Sequence, residues 1–328
     1  MPTKSKRAPR TREATSYHSP TAESIPRRAL GSTGEYVSAI GLGGFHLGLI
    51  STERECTNVV HAAIDAGITF MDNAWEYHDG KSEHRLGKAL TGRRDLVFLM
   101  TKVCTHGRDA RVAMRQLEDS LRRLKTDYLD LWQVHEVAFY NDPERHFMKG
   151  GVIEALDKAK REGKVRFVGF TGHKDPALHL RMLSYDYPFD TVQLPLNCCD
   201  ATFRSFEQQV LPELLRRGIA PIGMKSLGGE GDMVKRRVVT AAEALSYAMS
   251  LPVATTVSGI DSMRVLKQNL GVARGFSPLS SKAMQALRTR VAEQAADGRF
   301  ELYKTTAKHE ANVGRKQHGF PSQQETGA

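Results

Sequence analysis

The chain has 328 residues, 40% of them hydrophobic, and a formal net charge of +10. This length is long for an ordinary domain but normal for a single α/β barrel, and the apolar content can fill a large core. The sequence has no apolar run of the roughly 18 residues that a membrane span needs, and no apolar segment follows the basic N-terminus to make a secretory signal. We therefore expect a cytoplasmic protein with no membrane partner.

The basic charge is spread along the chain, which favours an enzyme that attracts anionic ligands and predicts no nucleic-acid partner. One concentration of basic residues falls in residues 1–25, a stretch rich in Pro, Ser and Thr that we predict to be a disordered tail. The four cysteines lack metal-finger spacing and indicate free thiols in a reducing compartment: Cys56, Cys104, Cys198 and Cys199.

Short apolar runs alternate with longer amphipathic segments along the chain. Residues 27–37, with Gly31-Ser32-Thr33-Gly34 at the turn, predict a hairpin placed to plug the bottom of a barrel. Eight apolar runs that do not alternate strictly with polar residues predict strands buried on both faces: 38–42, 68–72, 96–102, 128–135, 166–171, 191–194, 220–224 and 254–257.

The segments between these runs predict helices. Residues 109–124 carry apolar side chains at helical spacing behind Asp109, a capping residue. Pro212 should bend or divide the helix predicted over 203–217. An extra helix is predicted over 280–296, so that the barrel with this helix covers 26–304 and an irregular tail covers 305–328.

Eight strands in alternation with helices imply right-handed crossovers and a parallel sheet, and eight such units close into a (β/α)8 TIM barrel. The rival is an open doubly wound sheet, which requires a G-x-G-x-x-G turn after the first strand. The stretch Gly41-Leu42-Gly43-Gly44 does not have that spacing, and the barrel is therefore favoured.

Four chemically reactive side chains fall at or just past the ends of three successive strands: Asp72, Tyr77, Lys102 and His135. A tyrosine hydroxyl is a poor acid at neutral pH, but a neighbouring cation such as Lys102 would lower its pKa. Asp72 would hold Lys102 in place, and His135 would donate or relay a proton on the other side of a carbonyl oxygen. Each residue alone has an ordinary structural explanation, whereas the four together indicate a site that protonates a carbonyl group during its reduction.

These residues resemble the aldo-keto reductase family over roughly residues 27–275. The matching stretches are Asp72-Asn73-Ala74-Trp75-Glu76-Tyr77 with Ser82-Glu83, Thr101-Lys102, Val134-His135, Gly169-Phe170-Thr171-Gly172, Val192-Gln193 and Lys267-Gln268-Asn269. The resemblance implies a (β/α)8 barrel that binds NADP(H) or NAD(H) without a Rossmann motif. It also implies a catalytic set of Asp72, Tyr77, Lys102 and His135, with Tyr77 as the general acid.

The resemblance implies that three residues of this sequence contact the nicotinamide. Gln193 and Thr171 match residues that hydrogen-bond the carboxamide, and Met224 stands where an aromatic side chain often stacks on the ring. The asparagine that usually follows the hydroxyl residue is Gly172 here, which puts one amide contact in doubt.

The phosphates and adenosine are expected near a further set of residues, where the match to the family is weakest: Gly228, Ser258, Gly259, Asp261, Arg264 and Asn269. A carboxylate at Asp261 would repel a 2′-phosphate and could accept a hydrogen bond from a 2′-hydroxyl, which favours NAD(H). Arg264 or Lys267 would supply a replacement charge for NADP(H). Both cofactors stay open at this point.

The expected substrate is a small aldehyde or ketone, with Trp75, His106 and Trp132 shaping its pocket. The long connection over residues 136–151 either covers this pocket or packs on its rim. The sequence does not predict the oligomeric state.

Two alternative functions remain. Histidines follow five successive strands, which is typical of barrels that hold Zn²⁺ or a metal pair and act as hydrolases or lyases: His46, His78, His106, His135 and His173. That alternative leaves Tyr77 and Lys102 without a role, and no metal ligand is assigned. The other alternative is a nicotinamide-binding redox sensor or accessory subunit.

Overall fold

The structure is a computed structural model that describes residues 24–104 and 109–326. Almost all of the basic tail predicted over residues 1–25, and His106 in the predicted substrate pocket, lie outside the described residues.

Within these described ranges, ten strands form one hairpin and one barrel. The hairpin pairs β1 (Arg27–Ala29) with β2 (Tyr36–Ser38) in antiparallel fashion. The barrel strands are β3 (Ile40–Gly43), β4 (Phe70–Asp72), β5 (Phe98–Val103), β6 (Leu129–Val134), β7 (Val165–Thr171), β8 (Thr191–Pro195), β9 (Ala220–Met224) and β10 (Thr255–Gly259). They are parallel and close on themselves in chain order, with β10 beside β3, which confirms the predicted fold class.

Helices alternate with the barrel strands. They are α1 (Gly44–Leu47), α2 (Glu53–Asp65), α3 (Lys81–Ala89), α4 (Ala110–Leu124), α5 (Asp142–Phe147), α6 (Val152–Arg161), α7 (Pro176–Leu183), α8 (Phe206–Gln209), α9 (Leu211–Arg217), α10 (Asp232–Lys235), α11 (Ala241–Ser250) and α12 (Met263–Ala273). After the barrel come α13 (Ser281–Ala295), α14 (Leu302–Thr305), α15 (Asn312–Gln317) and α16 (Gln323–Thr326). The α13 helix is the extra helix expected over 280–296.

Local sequence signals set several helix boundaries. The Asp109 carboxylate accepts hydrogen bonds from the backbone N–H groups of Arg111 and Val112, which confirms it as the cap of α4. Pro212 divides its segment into α8 and α9, because it lies at the first turn of the second helix, where a missing N–H costs nothing.

The apolar core has two parts. A small cluster fills the inside of the barrel, where the ring of Phe98 stacks with those of Phe70 and Phe167. Leu30 and Val37 of the hairpin join this inner cluster, and the hairpin therefore plugs the barrel as expected. The larger cluster lies between the strands and the surrounding helices.

The strand register brings the carboxyl ends of the strands to one rim. Gly43 pairs with Asp72 on one side and with Gly259 on the other, and Thr171 of β7 pairs with Gln193 of the neighbouring β8. Side chains predicted to act together therefore share one mouth of the barrel.

A buried lysine fixes the start of the C-terminal segment to the barrel. The Lys304 ammonium donates to Asp200 at 2.7 Å and to Glu301 at 2.8 Å, and all three side chains are almost fully buried. A buried charge is tolerated only with such partners.

The rest of that segment crosses the mouth. The N–H of Ala311 donates to both carboxylate oxygens of Glu136 at 3.1 Å, and Lys174 pairs with Glu310 at 2.7 Å. Residues 305–328 were expected to be irregular, and the described part contains the two short helices α15 and α16. No helix among the described residues is long and apolar enough to cross a membrane.

Candidate active site

A cavity of about 760 Å³ opens at the carboxyl ends of the barrel strands. Most of the residues predicted for the catalytic and cofactor sites line it: Asp72, Tyr77, His135, Thr171, Gln193, Met224, Ser258 and Gly259. The barrel register thus gathers side chains that are far apart in the sequence.

Lys102 is the centre of the hydrogen-bond network beneath this cavity. It lies on β5, its side chain is 1% exposed, and its ammonium donates to Asp72 at 2.7 Å and to the carbonyl of Asn73 at 2.8 Å. Its third contact is the hydroxyl of Tyr77 at 3.3 Å. Burial lowers the pKa of Lys102, whereas Asp72 opposes that shift. The network therefore places a cation within hydrogen-bonding distance of the phenol oxygen of Tyr77.

Tyr77 stands in the turn after β4 with its ring edge-on to two neighbours. Its ring centre lies 5.4 Å from that of Phe45 and 5.6 Å from that of His135. Burial, followed by the negative charges of Asp72, Glu76 and Glu136, raises the pKa of Tyr77 well above its usual value. The pKa of Tyr77 is therefore raised and not lowered as expected, although Lys102 lies beside its hydroxyl, because burial and the surrounding carboxylates raise it. The hydroxyl keeps its proton at neutral pH.

His135 follows β6, and its backbone N–H donates to the backbone carbonyl of Val103 at 2.7 Å. Its Nδ1 contacts a carboxylate oxygen of Glu76, a residue in the same turn as Tyr77. Burial lowers the pKa of His135, and the Glu76 carboxylate opposes that shift.

The amide of Gln193 is held in one orientation and has an unused acceptor. Its Nε2 donates to Asp72 at 3.1 Å, while its buried Oε1 has no hydrogen-bond partner among the residues that the structure describes. A buried acceptor without a partner is costly, and an amide N–H from a ligand would satisfy it. Thr171 lines the cavity at the paired position on β7. The two positions fit a nicotinamide carboxamide.

Close packing explains why the residue after Thr171 is a glycine. A Cβ on Gly172 would lie 2.5 Å from the carbonyl oxygen of Val137, so no side chain fits there without movement of the backbone. The asparagine contact that the resemblance put in doubt is therefore absent at this position.

The loop after β9 passes along the cavity. Met224 ends the strand and lines the cavity wall, and Gly228 adopts a left-handed turn (φ +71°) in which a Cβ would lie 2.4 Å from the carbonyl oxygen of Phe300. Lys225 also lines the cavity, and its ammonium lies 5.0 Å from the ring centre of Tyr303. Within the described part of the chain no hydrogen-bond acceptor contacts this ammonium.

Only some of the residues expected to contact the phosphates and adenosine line the cavity. The Ser258 hydroxyl accepts a hydrogen bond from the buried amide of Asn269 at 3.0 Å, so Asn269 supports β10 instead of facing the cavity. Asp261 and Arg264 are exposed near the start of α12 and do not line the cavity wall. The structure leaves both side chains accessible from outside.

The two tryptophans lie outside the cavity. Trp132 is fully buried in the core between barrel and helices, and the Trp75 ring faces α4, where its Nε1 donates to Asp119 at 3.4 Å and Arg123 stacks on it at 5.3 Å. The prediction that they shape the substrate pocket is therefore wrong. Trp132 points outward from β6, and the turn after β4 directs Trp75 away from the cavity.

Other side chains also form the cavity walls, and no pattern in the sequence predicts them. They include Phe45, Glu76 and Glu136. The C-terminal segment adds residues 308–313. That segment is polar and has no periodic apolar pattern, so no sequence signal placed it over the mouth.

The described histidines of this set form no common metal-binding group. His46 packs on Gly259, where a Cβ would lie 2.3 Å from the imidazole, and the Nε2 of His78 contacts the carbonyl of Phe45 at 2.8 Å. Within residues 24–104 and 109–326, no group of three or more His, Cys, Asp or Glu side chains could hold a metal ion. The metal alternative thus finds no support in the described part of the mouth.

Comparison with known proteins yields one family. A family model described as the aldo/keto reductase family matches residues 39–241. The chain is 32% identical over 200 residues to the aldo-keto reductase YhdN of Bacillus subtilis, a match that covers 56% of each chain. It is 31% identical over 223 residues to L-galactose dehydrogenase of Arabidopsis thaliana, covering 62% of this chain and 66% of that protein. A third relative, methylglyoxal reductase YeaE of Escherichia coli, is 36% identical over 129 residues, covering 39% of this chain and 43% of that protein. The aligned parts thus span between 43% and 66% of the length of these relatives.

Solved structures share the fold. An aldo-keto reductase from Bacillus halodurans superposes with a TM-score of 0.69 at 23% identity, covering 81% of this chain and 96% of that one. An aldo/keto reductase from Klebsiella pneumoniae, solved in complex with NADP and acetate, superposes with a TM-score of 0.65 at 25% identity, covering 82% of this chain and 96% of that one.

Proposed function

Because this chain belongs to the aldo/keto reductase family, we propose that it transfers a hydride between NAD(P)H and the carbonyl group of a small aldehyde or ketone. The observation that carries the proposal is the Lys102 ammonium, which contacts both the Asp72 carboxylate and the Tyr77 hydroxyl under the cavity. That arrangement suits a protonated phenol whose anion must be stabilised when the proton leaves.

Tyr77 acts as the general acid in the proposed reduction. When hydride reaches the carbonyl carbon, negative charge develops on the oxygen, and this oxygen becomes far more basic than a phenolate. The Tyr77 proton then passes to it, which completes an alcohol. Lys102 stabilises the phenolate left behind, and Asp72 keeps Lys102 charged and in place.

Different cavity residues would contact different groups of a nicotinamide dinucleotide. Gln193 and Thr171 would hold the carboxamide, and Met224 would cover the ring, because a thioether side chain adapts to an apolar face. The bound cofactor would supply the hydride. Ser258 and Gly259 would meet the phosphates where β10 ends, with Gly228 turning the neighbouring loop.

The choice between NADP(H) and NAD(H) rests on two exposed side chains near α12. Asp261 disfavours a 2′-phosphate by charge repulsion, whereas Arg264 can pair with one. The Klebsiella relative solved with NADP supports the phosphorylated cofactor. The proposal includes both cofactors. Their relative affinities would show whether the charge of Asp261 or that of Arg264 has the larger effect.

The substrate is a small carbonyl compound because the same cavity must hold the nicotinamide as well. Methylglyoxal reductase and L-galactose dehydrogenase among the relatives indicate a short oxo-aldehyde or a sugar-derived carbonyl or alcohol.

The test combines two measurements on the purified chain. Titration with NADPH and NADH should show binding of at least one, and oxidation of that cofactor should then be followed with methylglyoxal and with sugar aldehydes. Binding with turnover supports the proposal. Binding without turnover on any carbonyl would favour the redox sensor, and no binding of either cofactor would refute the nicotinamide assignment.

A further inference from the structure

Glu76 connects two groups at the edge of the catalytic set. One of its carboxylate oxygens contacts the Nδ1 of His135, and the other contacts the thiol of Cys104 at the end of β5. The carboxylate and the imidazole are both largely buried, at 13% and 12% exposure. The turn that carries Tyr77 therefore also carries a carboxylate aimed at the histidine.

This contact determines which histidine nitrogen can serve a substrate. A carboxylate accepts a hydrogen bond and has no proton to give when ionised, so it selects the imidazole form with hydrogen on Nδ1. Proton exchange with a carbonyl oxygen in the cavity then falls to Nε2. The same logic orients the histidine in other carboxylate–histidine pairs.

The charge of Glu76 has a second effect because it is close to the ring. Among the described residues, other charged or titratable groups around His135 are Asp72, Lys102, Tyr77 and His173. Lys102 disfavours a positive imidazolium and Asp72 favours it, and within this described set Glu76 is the carboxylate in direct contact that offsets burial.

We propose that Glu76 is a positioning residue for the reaction: it holds His135 in the Nδ1–H form and stabilises the protonated ring, so that Nε2 can give a proton to the carbonyl oxygen or to Tyr77. The inference rests on the proposed function and goes one residue beyond it. In the reverse direction the same pair receives the proton released from an alcohol.

The direct readout is nitrogen NMR of the histidine side chains in the full chain, without cofactor or substrate. The chain has 12 histidines, and the His135 signals are assigned by their loss in His135→Gln. In the wild type, the neutral ring should carry its proton on Nδ1. Finding the proton on Nε2 would overturn the proposal without any variant of Glu76.

Glu76→Gln then tests the charge. The amide keeps an acceptor for Nδ1–H but removes the negative charge, so His135 should titrate at lower pH than in the wild type. In turnover assays, kcat at neutral pH should fall by about tenfold or more, with the cofactor Kd unchanged. Unchanged titration of His135 in a folded Glu76→Gln protein would contradict the proposal.

Cys104→Ala is the matched control, since it removes the contact to the other carboxylate oxygen and leaves the one to His135. In Cys104→Ala, His135 should titrate at the same pH as in the wild type. The NMR readout needs no hydride transfer, so it distinguishes failure of the Glu76 inference from failure of the proposed function, which turnover and cofactor binding report.

Discussion

Replacing Lys102 by methionine removes the cation on which the buried network depends. Methionine keeps much of the side-chain volume but leaves the Asp72 carboxylate, only 3% exposed, with Gln193 at 3.1 Å as its remaining side-chain partner among the described residues. Removing one partner of a buried ion pair costs about 3–5 kcal/mol, because an uncompensated charge stays buried. We therefore expect Lys102→Met to lose about that much unfolding free energy.

The pairing can be separated from the loss of packing by a double-mutant cycle. Asp72→Asn in the Lys102→Met background removes the stranded charge, so the double variant should lose less than the sum of the two single variants, by about 1–3 kcal/mol. Urea unfolding of the four proteins, at neutral pH and without ligand, measures these differences. Two results would refute the reasoning. One is a loss of less than about 1 kcal/mol of unfolding free energy in Lys102→Met, which is what an exposed ion pair contributes. The other is strict additivity of the two single losses in the double variant.

Three further predictions concern the cavity. Tyr77→Phe should lower kcat by about 10²–10⁴ with little change in cofactor Kd, because the ring keeps its packing on Phe45 while the proton donor is lost; a variant with nearly full activity would exclude Tyr77 as the acid. Burial lowers the pKa of Lys225 to about 8, so its charge is lost as the pH rises through that value, and calorimetry should show weaker binding of the anionic cofactor at about pH 9 than at about pH 7. Lys225→Met should abolish this pH dependence, and a pH-independent Kd in the wild type would argue against a role for Lys225. Trp75→Phe should leave the substrate KM within about twofold, since the ring packs against Arg123 outside the cavity, whereas a tenfold increase would place it in the pocket.

The barrel was predictable because its signals are local and repeated. Eight apolar runs alternate with amphipathic segments, and each reports burial on both faces of a strand. Strand boundaries were less accurate: the run over 96–102 begins at the last residue of a 3₁₀ turn (Arg94–Leu96), and β5 begins only at Phe98. Hydrophobicity alone does not distinguish the exposed Leu96 of that turn from the first residue of a strand.

The grouping of the proposed catalytic residues was predictable for a topological reason. Asp72, Lys102 and His135 follow or end successive parallel strands, whose carboxyl ends must meet at one mouth. The pocket walls were not predictable, because the direction of a side chain in a turn depends on backbone angles that sequence patterns do not report. Trp75 and Glu76 are neighbours in one turn, yet one faces α4 and the other faces His135.

The C-terminal segment shows the same limit over a longer distance. Its position rests on tertiary contacts such as the pairing of Lys304 with Asp200, two residues 104 positions apart. No periodic pattern records such a contact, so composition indicated only a polar tail.

The most direct test of the central claim is transfer of the label from NADPH or NADH carrying deuterium at nicotinamide C4 to a carbonyl substrate. Mass spectrometry of the alcohol formed by the wild type should show one deuterium on the former carbonyl carbon, and Tyr77→Phe should form this product about 10²–10⁴ times more slowly. An alcohol without deuterium from a cofactor labelled on either face of C4, or equal rates in the two proteins, would contradict the account.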